Sequence, residues 1–180
     1  MKILIAYYSR RGENYVGGDL VDLPVGNTEV AAGMIEKLTG GTTFRIDTVK
    51  QYPAGYHETT EVSRREQREH ARPELASRVP DMGDYDVVIL GYPNWWGTMP
   101  MAVFSFLEEY DLSGKTILPF CTHEGSGLGH SRRDIEKLCP KATVSKGLAI
   151  RGGSVHQARE EILAWLEAAG MTEGKARNRP

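Results

Sequence analysis

The sequence predicts a doubly wound α/β domain, in which helices cover both faces of a five-stranded parallel sheet. Five short segments rich in apolar and β-branched residues alternate with helical patterns along the chain. Three of these segments are continuous apolar runs, which is typical of central parallel strands covered on both faces. The chain has 180 residues, enough for one such domain, and we expect residues 1–180 to form it because no internal repeat marks a second.

The predicted elements follow one another in a regular order. Helical patterns begin near Gly26–Thr28, near Pro100 and near His130, and a last one extends from Val155 to Leu166. Residues 52–79 interrupt this order with a dense charged run, which predicts a solvent-facing helix with loops, and residues 171–180 are predicted to be a frayed polar tail. The predicted strands are Lys2–Tyr8, Thr43–Val49, Asp86–Tyr92, Lys115–Cys121 and Ser145–Ile150.

Composition excludes several classes of protein. The formal net charge is -2 and no basic run is present, which argues against nucleic-acid binding. The apolar stretches are strand-sized, far below the roughly 20 residues that span a bilayer, and the first residues do not form a secretory signal, so we expect a cytoplasmic protein that does not enter membranes. Cys121 and Cys139 have no metal-ligand spacing and are expected to be free thiols.

The loop after the first strand is unusually long. It begins at Ser9-Arg10-Arg11-Gly12, but the following helix does not begin until Gly26-Asn27-Thr28, whereas such loops usually take about 2–6 residues. A serine hydroxyl and an arginine fork suit a phosphate, and so do the amide groups at a helix start. Asn27 and Thr28 could equally cap the helix without any ligand. We expect residues 13–25 to form a surface excursion, either a lid or an edge that docks a partner.

The loops after the third and fourth strands also carry unusual residues. Trp95 and Trp96 are adjacent, so both cannot point into the core, and their rings would make a slot for a planar ligand unless they only pack beneath the loop. Residues 121–129 hold three glycines that would form a polar wall rich in amide groups. A hydrolytic site using Ser126, His123 and Glu124 is disfavoured because the GxSxG motif is not matched.

Ligands of open parallel sheets bind beyond the carboxyl ends of the strands, where the strand order reverses. A phosphate loop, an aromatic slot and a polar wall are all expected at that edge. Together they favour a planar phosphorylated cofactor, and FMN is the obvious candidate. No GxxxxGK[ST] or GxGxxG motif is present, so a nucleoside triphosphate or dinucleotide site is not expected.

The segments SRRGEN, VGNTEV, GYPNWWGTMP and FCTHEGSGLG resemble those of flavodoxins, in particular a flavodoxin-like group with a split first loop, and the similarity extends from Met1 to about Leu166. The resemblance implies a sheet of order 2-1-3-4-5 and non-covalently bound FMN. The usual compact SxTGNT loop is here divided by the insert Glu13–Val25, and a net charge of -2 is mild for a family whose acidity suits basic partners. The resemblance implies that the phosphate is held by Ser9, Arg10, Arg11, Asn27 and Thr28, that the ring and ribityl chain are lined by Pro93, Asn94, Trp95, Trp96 and Gly97, and that the other side of the ring is closed by Thr122, His123, Glu124, Gly125, Ser126 and Gly127.

Three functions are compatible with this site. The leading hypothesis is an electron-transfer flavoprotein in which no side chain acts as acid, base or nucleophile, with redox proteins or a small quinone-like acceptor as partners. We expect the Trp95–Gly97 backbone near the flavin N5 and His123 or Glu124 near the ring edge. One alternative is an FMN-dependent NAD(P)H:quinone-type oxidoreductase, which needs an open pocket over the flavin with Tyr52–His70 or Glu13–Val25 as its lid. The other is a flavin-binding module without redox turnover. The sequence does not choose between the two tryptophans as the stacking ring, and it does not give the oligomeric state.

Overall fold

The computed structural model describes residues 1–172, so most of the predicted tail, residues 173–180, lies outside the described residues. Along most of the chain, strands and helices alternate as the sequence predicts. The strands are β1 Ile3–Tyr7, β2 Gly12–Val16, β3 Asp19–Leu23, β4 Thr42–Arg45, β5 Val87–Pro93, β6 Thr116–His123, β7 Thr143–Val144 and β8 Leu148–Arg151. The α-helices are α1 Asn27–Thr39, α2 Tyr56–Arg68, α3 Met101–Glu109, α4 Ser131–Leu138 and α5 Arg159–Ala168, with short 3-10 helices at Met82–Asp84 and Gly152–Gln157.

The main sheet is parallel and has the order β4-β1-β5-β6-β7, which confirms the predicted order 2-1-3-4-5. The predicted last strand, Ser145–Ile150, is wrong in its bounds. Two short strands take that position, because β7 pairs with the start of β6 and β8 pairs with its end. Residues 145–147 between them belong to neither strand. Gly147 packs tightly against Leu128, which brings the loop after β6 close to the chain at this interruption.

Helices cover both faces of the sheet. Every residue of β1 is buried, although its successive side chains point to opposite faces. Ile3 and Ile5 pack on one face with residues of α1 and α5. Leu4 and Ala6 pack on the other face with residues of α3 and α4. The continuous apolar runs of the sequence are therefore explained by burial on both sides.

Strands β2 and β3 form a separate antiparallel hairpin within the long loop after β1. Gly17 and Gly18 at its tip both have positive φ, 62° and 98°, as a two-residue type I′ turn requires. The predicted surface excursion is therefore a β-hairpin that stands outside the main sheet, and Asp19–Val21 on its second strand are exposed. Within residues 1–172, no helix is both long enough and apolar enough to cross a bilayer.

Candidate functional site

A cavity of about 360 Å³ lies at the carboxyl ends of β1, β5 and β6, where the strand order reverses. All three loops that the sequence indicated contribute to it. The predicted residues that line it are Ser9, Arg10, Asn27, Thr28, Pro93, Asn94, Trp95, Trp96, Thr122, His123, Glu124 and Ser126. The predicted residues that do not line it are Arg11, Gly97, Gly125 and Gly127.

The two halves of the split loop meet at Gly26. A methyl group added to Gly26 would overlap the Ser9 hydroxyl and would lie 2.5 Å from the carbonyl oxygen of Arg10, so this close approach requires glycine. The Ser9 hydroxyl accepts a hydrogen bond from the amide of Glu29 (3.1 Å) and so satisfies one donor of the first turn of α1. The first-turn amides of Asn27 and Thr28 have no intrahelical acceptor and remain directed out of the helix start. The hairpin thus interrupts the loop in sequence but not in space.

Arg10 joins this loop to the segment that precedes α2. Its guanidinium donates to the carbonyl oxygens of Glu13 (3.0 Å), Pro53 (3.2 Å) and Ala54 (2.8 Å). The Asn14 side chain in turn donates to the carbonyl of Arg10 (3.0 Å). Arg10 therefore lines the cavity with its hydrogen bonds directed at the backbone, where it holds the base of the hairpin in place.

Arg11 turns away from the cavity. Its guanidinium makes two hydrogen bonds to Glu29, of 3.1 and 2.8 Å, and Arg45 binds the same carboxylate at 2.8 Å. These contacts lower the pKa of Glu29 below its ordinary value, and the hydrogen bond with Arg11 contributes most. The predicted contact between Arg11 and a phosphate therefore has no support in the position of this side chain.

A buried hydrogen bond joins the start of α1 to the end of β6. The hydroxyls of Thr28 and Thr122 are 2.7 Å apart, and both side chains are almost fully buried. Both threonines line the cavity. It fixes the helix start relative to the loop that follows β6.

The two adjacent tryptophans lie in different environments. Trp95 packs against the aromatic core, where it makes edge-on contacts with Tyr8 (5.3 Å between ring centroids) and Tyr52 (5.2 Å). Trp96 is 44% exposed, and its indole N–H donates to the carbonyl of Thr60 and to the hydroxyl of Ser63, both at 3.1 Å. Both rings line the cavity, one from the core and one from α2.

The end of β6 and the loop after it supply polar side chains to the cavity, some hydrogen-bonded within residues 1–172 and one with an unpaired oxygen. His123 accepts a hydrogen bond from the amide of Gly125 at its Nδ1 (2.9 Å), and burial, with a contribution from the charge of Arg151, lowers the pKa of His123. Glu124 accepts the amide N–H of Gly17 at Oε2 (3.1 Å), whereas its Oε1 is buried and has no donor among residues 1–172. No hydrogen bond joins Ser126 to His123 in the described chain, so a nucleophile–base pair is not formed here.

The hairpin and α2 form the outer wall of the cavity, where the sequence indicated a possible lid but no individual lining residue. Tyr15 of the hairpin stacks on Tyr56 of α2 with ring centroids 6.2 Å apart, and the Glu13 carboxylate accepts the Tyr56 amide (2.8 Å). A signal in α2 could have indicated the wall, because small hydroxyl side chains recur on one face of an otherwise charged helix. The missed lining residues are Asn14, Tyr15, Tyr56, Thr59, Thr60, Ser63 and Gly152.

A doubly wound α/β sheet with a polar and aromatic cavity at its switch point is typical of proteins that bind a ligand at the carboxyl ends of parallel strands. Comparison with known protein families then shows which family the chain belongs to. The family model described as flavodoxin matches residues 24–169, so this chain belongs to the flavodoxin family. No curated protein matches the chain in sequence.

Solved structures show the same fold. A candidate flavoprotein from Bacteroides eggerthii is 28% identical, with 94% of this chain and 98% of that chain covered and a TM-score of 0.74. A second candidate flavoprotein, from Bacteroides uniformis, is 27% identical, with coverages of 92% and 97% and a TM-score of 0.72. A flavoprotein from Lactobacillus acidophilus, solved in complex with FMN, shares the fold at 18% identity, with coverages of 87% and 97% and a TM-score of 0.62.

Proposed function

We propose that this chain binds FMN without a covalent bond and serves as an electron-transfer protein. The observation that carries the proposal is the cavity at the strand-order switch point, which combines a helix N-terminus, two tryptophans and a buried acceptor that has no donor among residues 1–172. Membership of the flavodoxin family and the FMN complex of the Lactobacillus acidophilus protein support the same cofactor.

The phosphate of FMN fits the start of α1. The Ser9 hydroxyl and the amides of Asn27 and Thr28 lie at this end of the cavity, where the helix dipole favours an anion. The two nearby arginines already bind protein acceptors. The phosphate would therefore be held by amide and hydroxyl donors rather than by an arginine.

The ring and the ribityl chain fit the remaining lining. Pro93, Asn94 and the two tryptophans would hold one side of the ring, and Thr122, His123 and Ser126 the other. Oε1 of Glu124 would accept a hydrogen bond from a donor of FMN, such as a ribityl hydroxyl. This bond would remove the free-energy cost of leaving a buried acceptor unpaired.

In the part of the chain that the structure describes, the backbone from Asn94 to Thr98 leaves one amide N–H, that of Trp96, without an acceptor. The Gly97 amide donates to Asn94 (3.0 Å), its carbonyl accepts from the His130 amide (2.8 Å), and the Trp96 carbonyl accepts from Gln67 (3.1 Å). We therefore assign the Trp96 amide N–H as the donor to the flavin N5. FMN supplies the reversible redox chemistry when bound, and these groups orient it and tune its potential.

The size and walls of the cavity favour a carrier over a turnover enzyme. Pockets for drug-sized ligands have volumes of about 300–1,000 Å³, so a cavity of 360 Å³ suits one such ligand. A hydrogen bond from Gly17 joins the tip of the hairpin to Glu124, and residues of the hairpin and of α2 line the cavity. Electrons would therefore pass through an exposed edge of the cofactor to a partner.

A substitution at the first residue of α1 tests the phosphate site. Asn27→Pro removes one amide donor, and proline is well tolerated at this first helical position. The preceding residue, Gly26, already has the extended backbone that proline requires (φ -66°, ψ 153°). The matched control Asn27→Ala removes the side chain and keeps the amide.

We expect Asn27→Pro to bind FMN roughly ten- to a hundred-fold more weakly than Asn27→Ala, because one hydrogen bond to a charged group is worth about 1.5–3 kcal/mol. Riboflavin, which lacks the phosphate, should bind both variants equally in calorimetric titrations. A wild-type protein that is colourless and does not bind FMN at micromolar concentrations would refute the cofactor. Equal losses for FMN and riboflavin would refute the phosphate site.

A second experiment separates the carrier from the alternatives. The FMN-loaded protein is expected to show no steady-state oxidation of NAD(P)H with a quinone, and the photoreduced protein is expected to reduce a protein acceptor such as cytochrome c. Turnover with NAD(P)H and a quinone would instead identify an oxidoreductase. A photoreduced protein that passes electrons to no acceptor would identify a binding module.

A further inference from the structure

Trp96 has a strained backbone that its local sequence does not favour. Its φ is 56°, and with Gly97 (φ 86°) it occupies the centre of a tight turn closed by hydrogen bonds between Trp95 and Thr98. A bulky residue with positive φ costs on the order of 1–3 kcal/mol, and turns of this kind prefer Asn-Gly. Contacts outside the turn must therefore hold Trp96 in place.

Helix α2 supplies those contacts. The indole N–H is bound by Thr60 and Ser63, and Gln67 donates to the carbonyl oxygen of Trp96. The guanidinium of Arg64 lies over one face of the indole, 4.5 Å from the ring centroid. The edge, the backbone and one face of Trp96 are thus fixed by a single helix.

The two tryptophans therefore differ in what they can offer a ligand. Trp95 is committed to its contacts with Tyr8 and Tyr52 in the core. Trp96 lines the cavity, whereas Arg64, which lies over one face of its ring, is not among the lining residues. Its opposite face is the aromatic surface available for stacking.

We propose that Trp96 provides the face on which the cofactor ring stacks, and that Arg64 is the positioning residue that fixes this face and places a positive charge behind it. This inference rests on the proposed function, since it takes FMN as the ligand. A reduced flavin carries a negative charge near neutral pH, so a cation behind the stacking ring stabilises the reduced form more than the oxidised form. Arg64 should therefore raise the reduction potential of the bound cofactor.

Three variants test the proposal: Arg64→Gln removes the charge, Arg64→Lys keeps it, and Arg65→Gln removes a charge from a neighbouring exposed residue of the same helix. We expect Arg64→Gln to weaken binding of oxidised FMN about two- to five-fold, as the loss of an exposed cation–π contact does. The same variant should lower the midpoint potential of bound FMN, because reduced FMN loses more affinity than oxidised FMN. Arg65→Gln should change neither quantity, and Arg64→Lys should restore most of the potential.

A measurement without cofactor separates this inference from the proposed function. The Trp96 indole N–H resonance, assigned by its loss in Trp96→Phe, should exchange with water at least about two-fold faster in Arg64→Gln than in Arg65→Gln. If FMN binds the wild type but Arg64→Gln matches Arg65→Gln in affinity, potential and exchange, this inference is overturned and the proposed function stands. If the wild type does not bind FMN, both are overturned, and that result is seen before any variant is made.

Discussion

The contact between the two halves of the split loop can be tested by placing one methyl group at Gly26. In Gly26→Ala the new Cβ would overlap the Ser9 hydroxyl and would lie 2.5 Å from the Arg10 carbonyl oxygen. Overpacking of this kind costs about 1–3 kcal/mol, and the upper part of the range applies because Arg10 presents backbone atoms, which cannot rotate away.

A smaller favourable effect opposes that cost. The backbone of Gly26 (φ -66°, ψ 153°) is one that alanine adopts easily, so the substitution also reduces the entropy of the unfolded chain, by about 0.4–1 kcal/mol. The balance leaves a net destabilisation of about 1–2 kcal/mol. Gly33→Ala is the matched control, because Gly33 lies inside α1 and its added Cβ meets no described residue within 4 Å apart from its own chain neighbours and helix backbone. It should stabilise the protein by about 0.5–1 kcal/mol.

Urea unfolding followed by circular dichroism measures the difference. The two variants should differ by at least about 1.5 kcal/mol, which at a typical denaturant dependence of about 1–3 kcal/mol/M separates their midpoints by at least about 0.5 M. Gly26→Ala should also weaken FMN binding more than riboflavin binding, since it moves Ser9 away from the helix start. If Gly26→Ala is as stable as Gly33→Ala, the two halves of the loop are not in contact and the reasoning fails.

Two further predictions concern the residues around this contact. Thr28→Val and Thr122→Val should each destabilise the protein by about 1–3 kcal/mol in urea unfolding, because each leaves one buried hydroxyl unpaired. The double variant should lose less stability than the two single variants added together, and strict additivity would contradict the hydrogen bond. Glu29 binds Arg11 and Arg45, and these bonds lower its pKa in the folded state. The ionised carboxylate therefore stabilises the fold fully above about pH 4.5, and this stabilisation is lost as the pH falls through the folded-state pKa. Glu29→Gln should therefore differ most from the wild type near pH 7 and least at strongly acidic pH in unfolding measurements, and a difference that does not change with pH would exclude this ion pair as the cause.

The sequence predicted the parallel sheet from local patterns, whereas the order of its strands came from the resemblance to flavodoxins. The apolar runs of β1 and β5 indicate burial on both faces, and the alternation of strands with helices restricts the topology. The same alternation placed three functional loops at one sheet edge, and most of the residues named in those loops line the cavity. The different orientations of the two tryptophans also follow from their adjacency alone.

The sequence could not show which acceptor each arginine would choose. Arg10 and Arg11 follow the first strand, as phosphate-binding residues do, but they bind backbone carbonyls and Glu29 instead. A guanidinium satisfies its donors equally well with a phosphate, a carboxylate or a carbonyl. Only the folded positions of these acceptors decide among them.

The sequence by itself determined the order of strands and helices, the buried faces of the sheet and the edge at which a ligand would bind. Only the tertiary structure decided that residues 13–25 pack with α2 as the outer wall of the cavity, because that wall depends on contacts between distant parts of the chain. The hydrogen bond from Gly17 to Glu124 joins residues 107 positions apart, and α2 reaches Trp96 across 33 and 36 positions through Ser63 and Thr60. No periodicity encodes such contacts, since they form only when separate elements pack on the same sheet. The insert that divides the phosphate loop thereby became a wall of the site.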